Sequence, residues 1–170
     1  MRLDIQALSD ELVTSVLLAC ADWEELACCG PPFWRPRSSA ELRRRVAATA
    51  GPQPAAEYSF VLSGDNSKLL GECSIHSIDW RNRFAQVGVC IWNPDMRGKG
   101  YGREAVRFVV DWALNYHGLS RLEAWIVEGN EPSIVLFRSF GFEYEGTLRS
   151  RYLHRGVRRD IQIWALLADG

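Results

Sequence analysis

The sequence has little that would direct a protein to a membrane or to nucleic acid. Its 20 basic and 21 acidic residues leave a net charge of −1 and a pI near 6.3, which provides no basic surface for either partner. No apolar run is long enough to span a bilayer, and Asp4, Asp10 and Glu11 interrupt any signal-peptide core. We therefore expect a cytoplasmic chain with no nucleic-acid partner and no membrane partner.

Cysteine and histidine are present without a metal-binding or disulfide pattern. The five cysteines are odd in number, Cys28 and Cys29 are adjacent, and no C-x-x-C occurs. The three histidines are widely separated, so the sequence predicts reduced thiols and no metal site. Cys73 and Cys90 lie in apolar strand-like runs and are expected to be buried packing residues.

Hydrophobic periodicity and turn residues predict the element order β-α-α-β-β-β-α-β-α-β-β within one domain spanning residues 1–170. Strands are expected at about 3–8, 57–63, 68–77, 84–92, 119–127, 143–153 and 157–166. Helices are expected at about 9–19, 40–48, 103–116 and 130–139. This order predicts an α+β fold, with one mixed, mostly antiparallel sheet of about seven strands and helices on both faces.

The segment from Arg97 to Gly102 carries most of the functional information. It reads Arg-Gly-Lys-Gly-Tyr-Gly and lies between an apolar strand and an amphipathic helix. Three glycines at alternate positions remove the Cβ atoms that would keep an anion away from the backbone. The following helix directs its unpaired N–H groups and the positive end of its dipole to the same place. The segment predicts a diphosphate-binding loop, although a tight turn that needs glycine only for its geometry is the alternative.

Spacing excludes two common phosphate-binding loops. A dinucleotide fingerprint would need glycine three residues after Gly100, where Arg103 stands, and a P-loop would not place lysine between the glycines. The spacing R-x-x-G-x-G, formed by Arg97, Gly100 and Gly102, resembles the acetyl-coenzyme A signature of the GNAT acetyltransferase superfamily.

A second run supports this resemblance and narrows it. Asn130-x-x-Ser133 is followed by Gly141-Phe142-x-x-Glu145-Gly146-x-x-Arg149 and then by a closing hairpin with Asp160. This pattern is similar to the ribosomal-protein N-terminal acetyltransferase (RimJ/RimL-like) branch. The resemblance covers residues 57–167 firmly and the N-terminal third loosely.

The resemblance implies that acetyl-CoA is the co-substrate. Strands 84–92 and 119–127 should be parallel neighbours that splay apart at their C-terminal ends, with the coenzyme in the gap. Unpaired main-chain groups of Cys90, Ile91 and Trp92 would bind the pantetheine, and Asn130 would touch the coenzyme. Main-chain amides would hold the pyrophosphate along the loop, at Arg97, Gly98, Lys99, Gly100, Tyr101 and Gly102. The side chains of Arg97 and Lys99 would either add positive charge or be solvated.

The resemblance also implies direct attack by a primary amine, without an acyl-enzyme. Many relatives have a tyrosine as proton source for the thiolate where this chain has Phe137, so we assign that role to Ser133. The alternative is that Ser133 only favours the first turn of its helix. A glutamate that often acts as the base is replaced by Gln86. The base is left open between a water relay and the side chains of Glu72, His76, Asp79, Glu123, Glu128 and Asp160.

The missing carboxylate base favours an acceptor that loses its proton easily. At pH 7 the neutral form costs about 1.1 kcal/mol for an α-amine and about 4.6 kcal/mol for a lysine amine. We therefore expect the α-amine of a peptide N-terminus or of an amino-acid-like or antibiotic small molecule. Candidates for the acceptor side come from the first helices and the closing hairpin: Trp23, Phe33, Trp34, Trp80, Arg149, Arg151, Tyr152 and His154.

Two alternatives and one open question complete the predictions. A non-catalytic acyl-CoA-binding module is one alternative, because a tyrosine at 137 and a glutamate at 86 are both missing. An acyltransferase that uses another donor, such as succinyl-CoA, is the second. The chain is expected to be a monomer or a homodimer paired through the closing hairpin.

Overall fold

The computed structural model describes residues 3–30, 33–52 and 54–168. These residues form a seven-stranded sheet in the order β1-β2-β3-β4-β5-β7-β6, with strands at Asp4–Ala7, Tyr58–Ser63, Leu69–Asp79, Phe84–Ile91, Arg121–Val127, Glu143–His154 and Val157–Leu167. All neighbouring strands pair antiparallel except β4 and β5, which are parallel. The structure confirms the predicted mixed, mostly antiparallel sheet.

The helices of the described residues are α1 to α5 in chain order, at Val13–Ala19, Trp23–Leu26, Ser39–Ala47, Tyr101–Asp111 and Glu131–Arg138. A 3₁₀ turn at Asp10–Leu12 leads into α1, and a π-helical turn at Trp112–Tyr116 continues α4. The sequence pattern missed α2, a single turn in which the side chain of Asp22 accepts from the N–H of Glu25. One turn is too short to show a helical periodicity.

Helices cover both faces of the sheet, as predicted. On one face, α4 and α5 bury Val106, Val109 and Phe137 in a core that they share with the central strands. On the other face, α1 and α3 bury Val16 and Leu42 against β2 and β4. The predicted burial of two cysteines is also confirmed, since Cys73 and Cys90 are 1% and 6% exposed.

The two parallel strands separate along their length. Pairing between β4 and β5 covers only Phe84 with Arg121, Ala85 with Leu122, and Gln86 with Glu123. Beyond these pairs both strands continue, to Ile91 and to Val127. The other edge of β4 stays paired with β3 up to Ile91. The predicted splay is confirmed: a gap opens between the C-terminal ends of β4 and β5.

Candidate active site

The loop before α4 presents a row of main-chain N–H groups. Within residues 3–30, 33–52 and 54–168, none of the N–H groups from Gly98 to Arg103 has a hydrogen-bond acceptor. The N-cap residue Gly100 has no side chain to offer. By contrast, the first turns of α2, α3 and α5 are capped by Asp22, Ser38 and Asn130. The first turn of α4 therefore depends on solvent or on a ligand for its acceptors.

The backbone of this loop requires glycine. Gly98 and Gly100 have φ values of 70° and 89°, a left-handed conformation that residues with a Cβ rarely adopt. A Cβ built on Gly98 would meet no atom within 4 Å, so this side of the loop faces open space. An exposed row of donors at the positive end of a helix fits an anion such as a diphosphate. The residues present thus fit the phosphates of a coenzyme.

Arg97 anchors this loop to the rest of the molecule. Its main-chain N–H, predicted to bind the pyrophosphate, donates instead to the oxygen of Pro94 at 3.0 Å, so this part of the prediction is wrong. Its Nη1 and Nη2 donate to the two carboxylate oxygens of Glu25 at 2.6 and 2.9 Å, and its Nε donates to the main-chain oxygen of Ile91 at 3.0 Å. The positive charge of Arg97 is therefore shared with a carboxylate. Lys99 is exposed, with its Nζ 3.8 Å from the sulfur of Met96.

Main-chain hydrogen bonds at the end of β4 contradict the prediction that all three residues there are unpaired. The N–H of Trp92 donates to the oxygen of Leu70 at 2.9 Å, so it is directed at β3 and is not unpaired. Main-chain groups alternate between the two edges of an antiparallel strand. Cys90 therefore also directs its main-chain groups to β3, whereas those of Ile91 are directed to the opposite edge. There the oxygen of Ile91 accepts from the Nε of Arg97, which leaves its N–H for a ligand in the gap. Of the three predicted residues, Ile91 is the one placed to pair with an extended ligand in the gap.

The C-terminal half of α5 packs against the start of α4. A Cβ on Gly102 would be 3.5 Å from the side chain of Leu136, so α4 and α5 pack closely there. Asn130 caps α5 by accepting the Ser133 N–H at 3.4 Å. Among the described residues the Ser133 hydroxyl has no hydrogen-bond partner. Phe137 is 4% exposed in the core, so this position holds a packing ring in place of a phenol.

Four of the base candidates have other partners. Both oxygens of Glu72 accept from arginines, at 2.6 Å from Arg37 and 3.2 Å from Arg45. Burial alone would raise the pKa of the Glu72 carboxyl, but Arg45 and Arg37 together hold this pKa below its ordinary value. The other three make contacts of their own: Asp79 accepts from Asn82, Asp160 accepts from the N–H of Ser150, and Glu128 lies 3.9 Å from Arg159.

Glu123 and His76 lie on the same face of the sheet, near the point where β4 and β5 separate. Glu123 accepts from Arg121 on one oxygen and from Trp125 on the other, each at 2.9 Å. The Nδ1 of His76 lies 3.2 Å from the hydroxyl of Ser74. Burial lowers the pKa of the His76 imidazole, and Arg45 lowers it further. The imidazole is therefore neutral at pH 7 and able to accept a proton.

A short segment that the sequence pattern missed lies across the mouth of the gap. It is the 3₁₀ turn Ala27–Cys29, which ends at Gly30 beside Val127 of β5. The nearby Cys90 thiol of β4 and, to a smaller extent, the positive charge of Arg97 lower the pKa of Cys29 to about 7, against the effect of desolvation. Neighbours so distant in sequence leave no local signal that could have revealed this thiol.

A cavity of about 360 Å³ adjoins the same segment. It unites four of the predicted acceptor-side residues, and its lining is Trp23, Glu24, Ala27, Trp34, Tyr152, Leu153, His154 and Arg155. The Tyr152 hydroxyl donates to the oxygen of Ala27 at 2.7 Å. This bond ties the closing hairpin, β6 and β7, to the segment that covers the gap.

The other four acceptor-side candidates do not line this cavity. Trp80 donates to the oxygen of Ala55 at 2.8 Å and packs near His117, far from the closing hairpin. Phe33 is 5% exposed in the core beneath α3. Arg149 and Arg151 are exposed on β6. The prediction for these four side chains is not supported by their positions.

Comparison with known proteins agrees with this geometry. The family described as "Acetyltransferase (GNAT) domain" matches residues 2–143, and the chain belongs to this family. An uncharacterized N-acetyltransferase, p20, of Bacillus licheniformis is 31% identical over 113 residues, which cover 66% of this chain and 62% of that protein. The first three curated relatives are matched over 41 to 62% of their own length.

Solved structures show the same fold. The ribosomal-protein-S5-alanine acetyltransferase of Vibrio fischeri superposes with a TM-score of 0.87 at 21% identity, covering 99% of this chain and 94% of that one. The spermidine N-acetyltransferase of Vibrio cholerae, in complex with CoA and spermine, gives a TM-score of 0.82 at 21% identity, with 97% and 95% covered.

Two features are absent from the part of the chain that the structure describes. No helix among residues 3–30, 33–52 and 54–168 is long and apolar enough to cross a membrane. The same residues contain no cluster of three or more metal-ligating side chains.

Proposed function

We propose that this protein is an acetyl-CoA-dependent N-acetyltransferase that modifies a primary amine. The observation that carries the proposal is the row of unpaired N–H groups from Gly98 to Arg103, beside a gap between parallel strands. Two phosphates satisfy such donors at a helix N-terminus, and an extended pantetheine arm suits a strand edge. Membership of the GNAT family supports the same activity.

Each part of the site has its own role in binding the coenzyme or in the transfer. The amides of the loop bind the pyrophosphate, at Gly98, Lys99, Gly100, Tyr101 and Gly102, while the end of β4, at Cys90, Ile91 and Trp92, borders the thioester arm. Asn130 contacts the coenzyme from the start of α5. When bound, acetyl-CoA supplies an acetyl group activated as a thioester. The Ser133 hydroxyl donates a hydrogen bond to the departing sulfur, a favourable leaving group because thiol pKa values are near 8.5.

The aromatic cavity is the proposed acceptor site. Trp23, Trp34 and Tyr152 offer ring faces and edges, and Glu24 pairs with Arg155 at 3.7 Å on the rim. Both charged side chains of this pair are mostly exposed, so either can be recruited by an acceptor of the opposite charge. We propose an α-amine, on a peptide N-terminus or on an amino-acid-like or antibiotic molecule, since its neutral form costs least at pH 7.

A thiol-release assay with a panel of amines tests the proposal. The panel pairs an alanine-initiated peptide with the same peptide acetylated at its N-terminus but carrying a free lysine, and adds spermidine and free amino acids. We expect release of the coenzyme thiol with the free α-amine and none with the blocked peptide. Release with spermidine or lysine alone would overturn the α-amine assignment.

The same assay separates the two alternatives. Acetyl-CoA binding without thiol release from any amine would identify a non-catalytic acyl-CoA-binding module. Faster release from succinyl-CoA than from acetyl-CoA in direct competition would identify a different acyl donor. We expect acetyl-CoA to be preferred, because the described gap offers no unpaired cation beside Ile91 for a second carboxylate: Arg97 is bound to Glu25.

A further inference from the structure

One histidine covers the point where the coenzyme gap begins. The last residue pair between β4 and β5 is Gln86 with Glu123. Gly88 lies two residues further along β4, about 7 Å away and on the same face as Gln86. A Cβ on Gly88 would be 3.5 Å from the Cε1 of His76 and 3.1 Å from the hydroxyl of Ser74. The imidazole therefore occupies the space that the missing side chain of Gly88 leaves.

The imidazole is held there from several directions. His76 lies directly opposite Gln86 where β3 pairs with β4. Ser74 contacts Nδ1 at 3.2 Å. Directly after His76 the pairing skips to Asp79, with Ser77 in the left-handed region at φ 51°. Such bulges redirect a neighbouring side chain and are common beside active sites.

From this arrangement we infer that His76 is the general base of the transfer, an inference that rests on the proposed function. The amine nitrogen forms a bond to the acyl carbon, and the bond from that carbon to sulfur breaks with its electron pair on sulfur. One proton passes from the nitrogen to the imidazole of His76, directly or through one water. The sulfur accepts a hydrogen bond from Ser133 and takes up one proton from solvent, so that amide and free thiol are the products.

Charged groups approach the imidazole from three elements. Arg45 approaches from α3, Glu57 from the segment before β2, and Glu72 from β3 itself. Burial is the largest effect and lowers the His76 pKa. Arg45 adds to this effect, while Glu57, Gln86 and Glu72 oppose it. Glu123, the nearest carboxylate across the split, has both oxygens occupied by Arg121 and Trp125. The imidazole is the better acceptor of the two.

The base leaves a signature in the pH dependence. Between the pKa of His76 and that of the amine, log(kcat/KM) should rise with a slope of about one, because only the amine must lose a proton. Below the pKa of His76, which lies under the ordinary value, the slope should become about two. We call this change of slope the break. Without the His76 imidazole the break disappears, and the slope stays near one throughout.

The test compares three variants with acetyl-CoA and the alanine-initiated peptide. His76→Gln should lower kcat by about 100-fold, with the KM for acetyl-CoA unchanged and the break lost. His117→Gln is the matched control, because burial also lowers the pKa of His117 while its ring packs against Tyr58 and Trp112. It should keep the break, and Glu123→Gln should keep it as well.

A readout independent of turnover completes the test. In NMR spectra the imidazole of His76 should titrate at the pH of the kinetic break, below the ordinary histidine range, and His76→Asn serves if His76→Gln fails to fold. A break that persists without His76, a break lost in Glu123→Gln, or an imidazole found protonated at pH 7 would overturn the inference. Failure of the wild-type protein to release thiol from any amine would instead overturn the proposed function.

Discussion

Replacing Gly98 with alanine should weaken acetyl-CoA binding, whereas the matched change at Gly156 should not. The two glycines have nearly equal φ values, 70° and 77°, and a Cβ on either would meet no atom within 4 Å. Alanine in this left-handed conformation costs about 1–2 kcal/mol at each site. The two variants should therefore lose the same amount of folding free energy and differ only in their effect on the ligand.

The size of the effect follows from the N–H row. If alanine keeps the backbone conformation, its methyl group stands in the open space that the phosphates would occupy. If the backbone relaxes, the N–H of Lys99 turns out of the row. Either way, about one hydrogen bond to a charged group is lost, worth about 1.5–3 kcal/mol. At 1.4 kcal/mol per factor of ten, the Kd should rise by about 10- to 100-fold.

Calorimetric titration of acetyl-CoA into the wild-type protein and both variants measures this difference. Thermal unfolding of the same samples checks that Gly98→Ala and Gly156→Ala are destabilised alike. An unchanged Kd for Gly98→Ala would show that the phosphates do not bind at this loop. An equal rise of Kd in both variants would show that general destabilisation, and not the loop, causes the effect.

Three further predictions test other parts of the structure. Glu72→Gln should destabilise the fold by about 3–5 kcal/mol in urea unfolding, because it leaves Arg37 buried with half of its carboxylate partners gone. Since the pKa of Glu72 is lowered, the stabilisation by its ion pairs should be complete above about pH 4.3 and be lost as the pH falls further. Equal stability of the variant and the wild type would contradict the ion-pair role. Trp23→Ala should raise the KM for the amine and leave the Kd for acetyl-CoA unchanged, and the reverse pattern would place this residue on the coenzyme. Iodoacetamide at pH 7 should alkylate Cys29 before Cys28, whose pKa burial and its neighbour raise to about 11; mass spectrometry of the peptides shows the order.

The fold and the phosphate loop could be predicted because their signals are local in sequence. Strand alternation and turn residues place all seven strands to within two or three residues. The glycines of the loop are needed by the loop's own φ values. Capping by Asn130 is equally local, since its partner Ser133 lies three residues away.

Contacts across the sheet could not be predicted in this way. Glu25 and Arg97 are 72 residues apart, and nothing in either neighbourhood marks them as partners. The same holds for Cys29 beside Cys90, and for His76 over Gly88. The separation of the parallel strands was expected from the family resemblance. The residue at which they separate, Gln86, could be identified only in the structure. Because His76 lies opposite Gln86, the position of the split supports His76 as the general base.

Titration of ¹⁵N-labelled protein with acetyl-CoA, followed by NMR, tests the central claim most directly. The amide resonances of residues 98–103 should shift downfield together as the phosphates accept their N–H groups, with Ile91 shifting as the arm enters the gap. Free acetate should shift none of them at the same concentration. Saturable binding with shifts confined to another part of the chain, or no binding, would contradict the account.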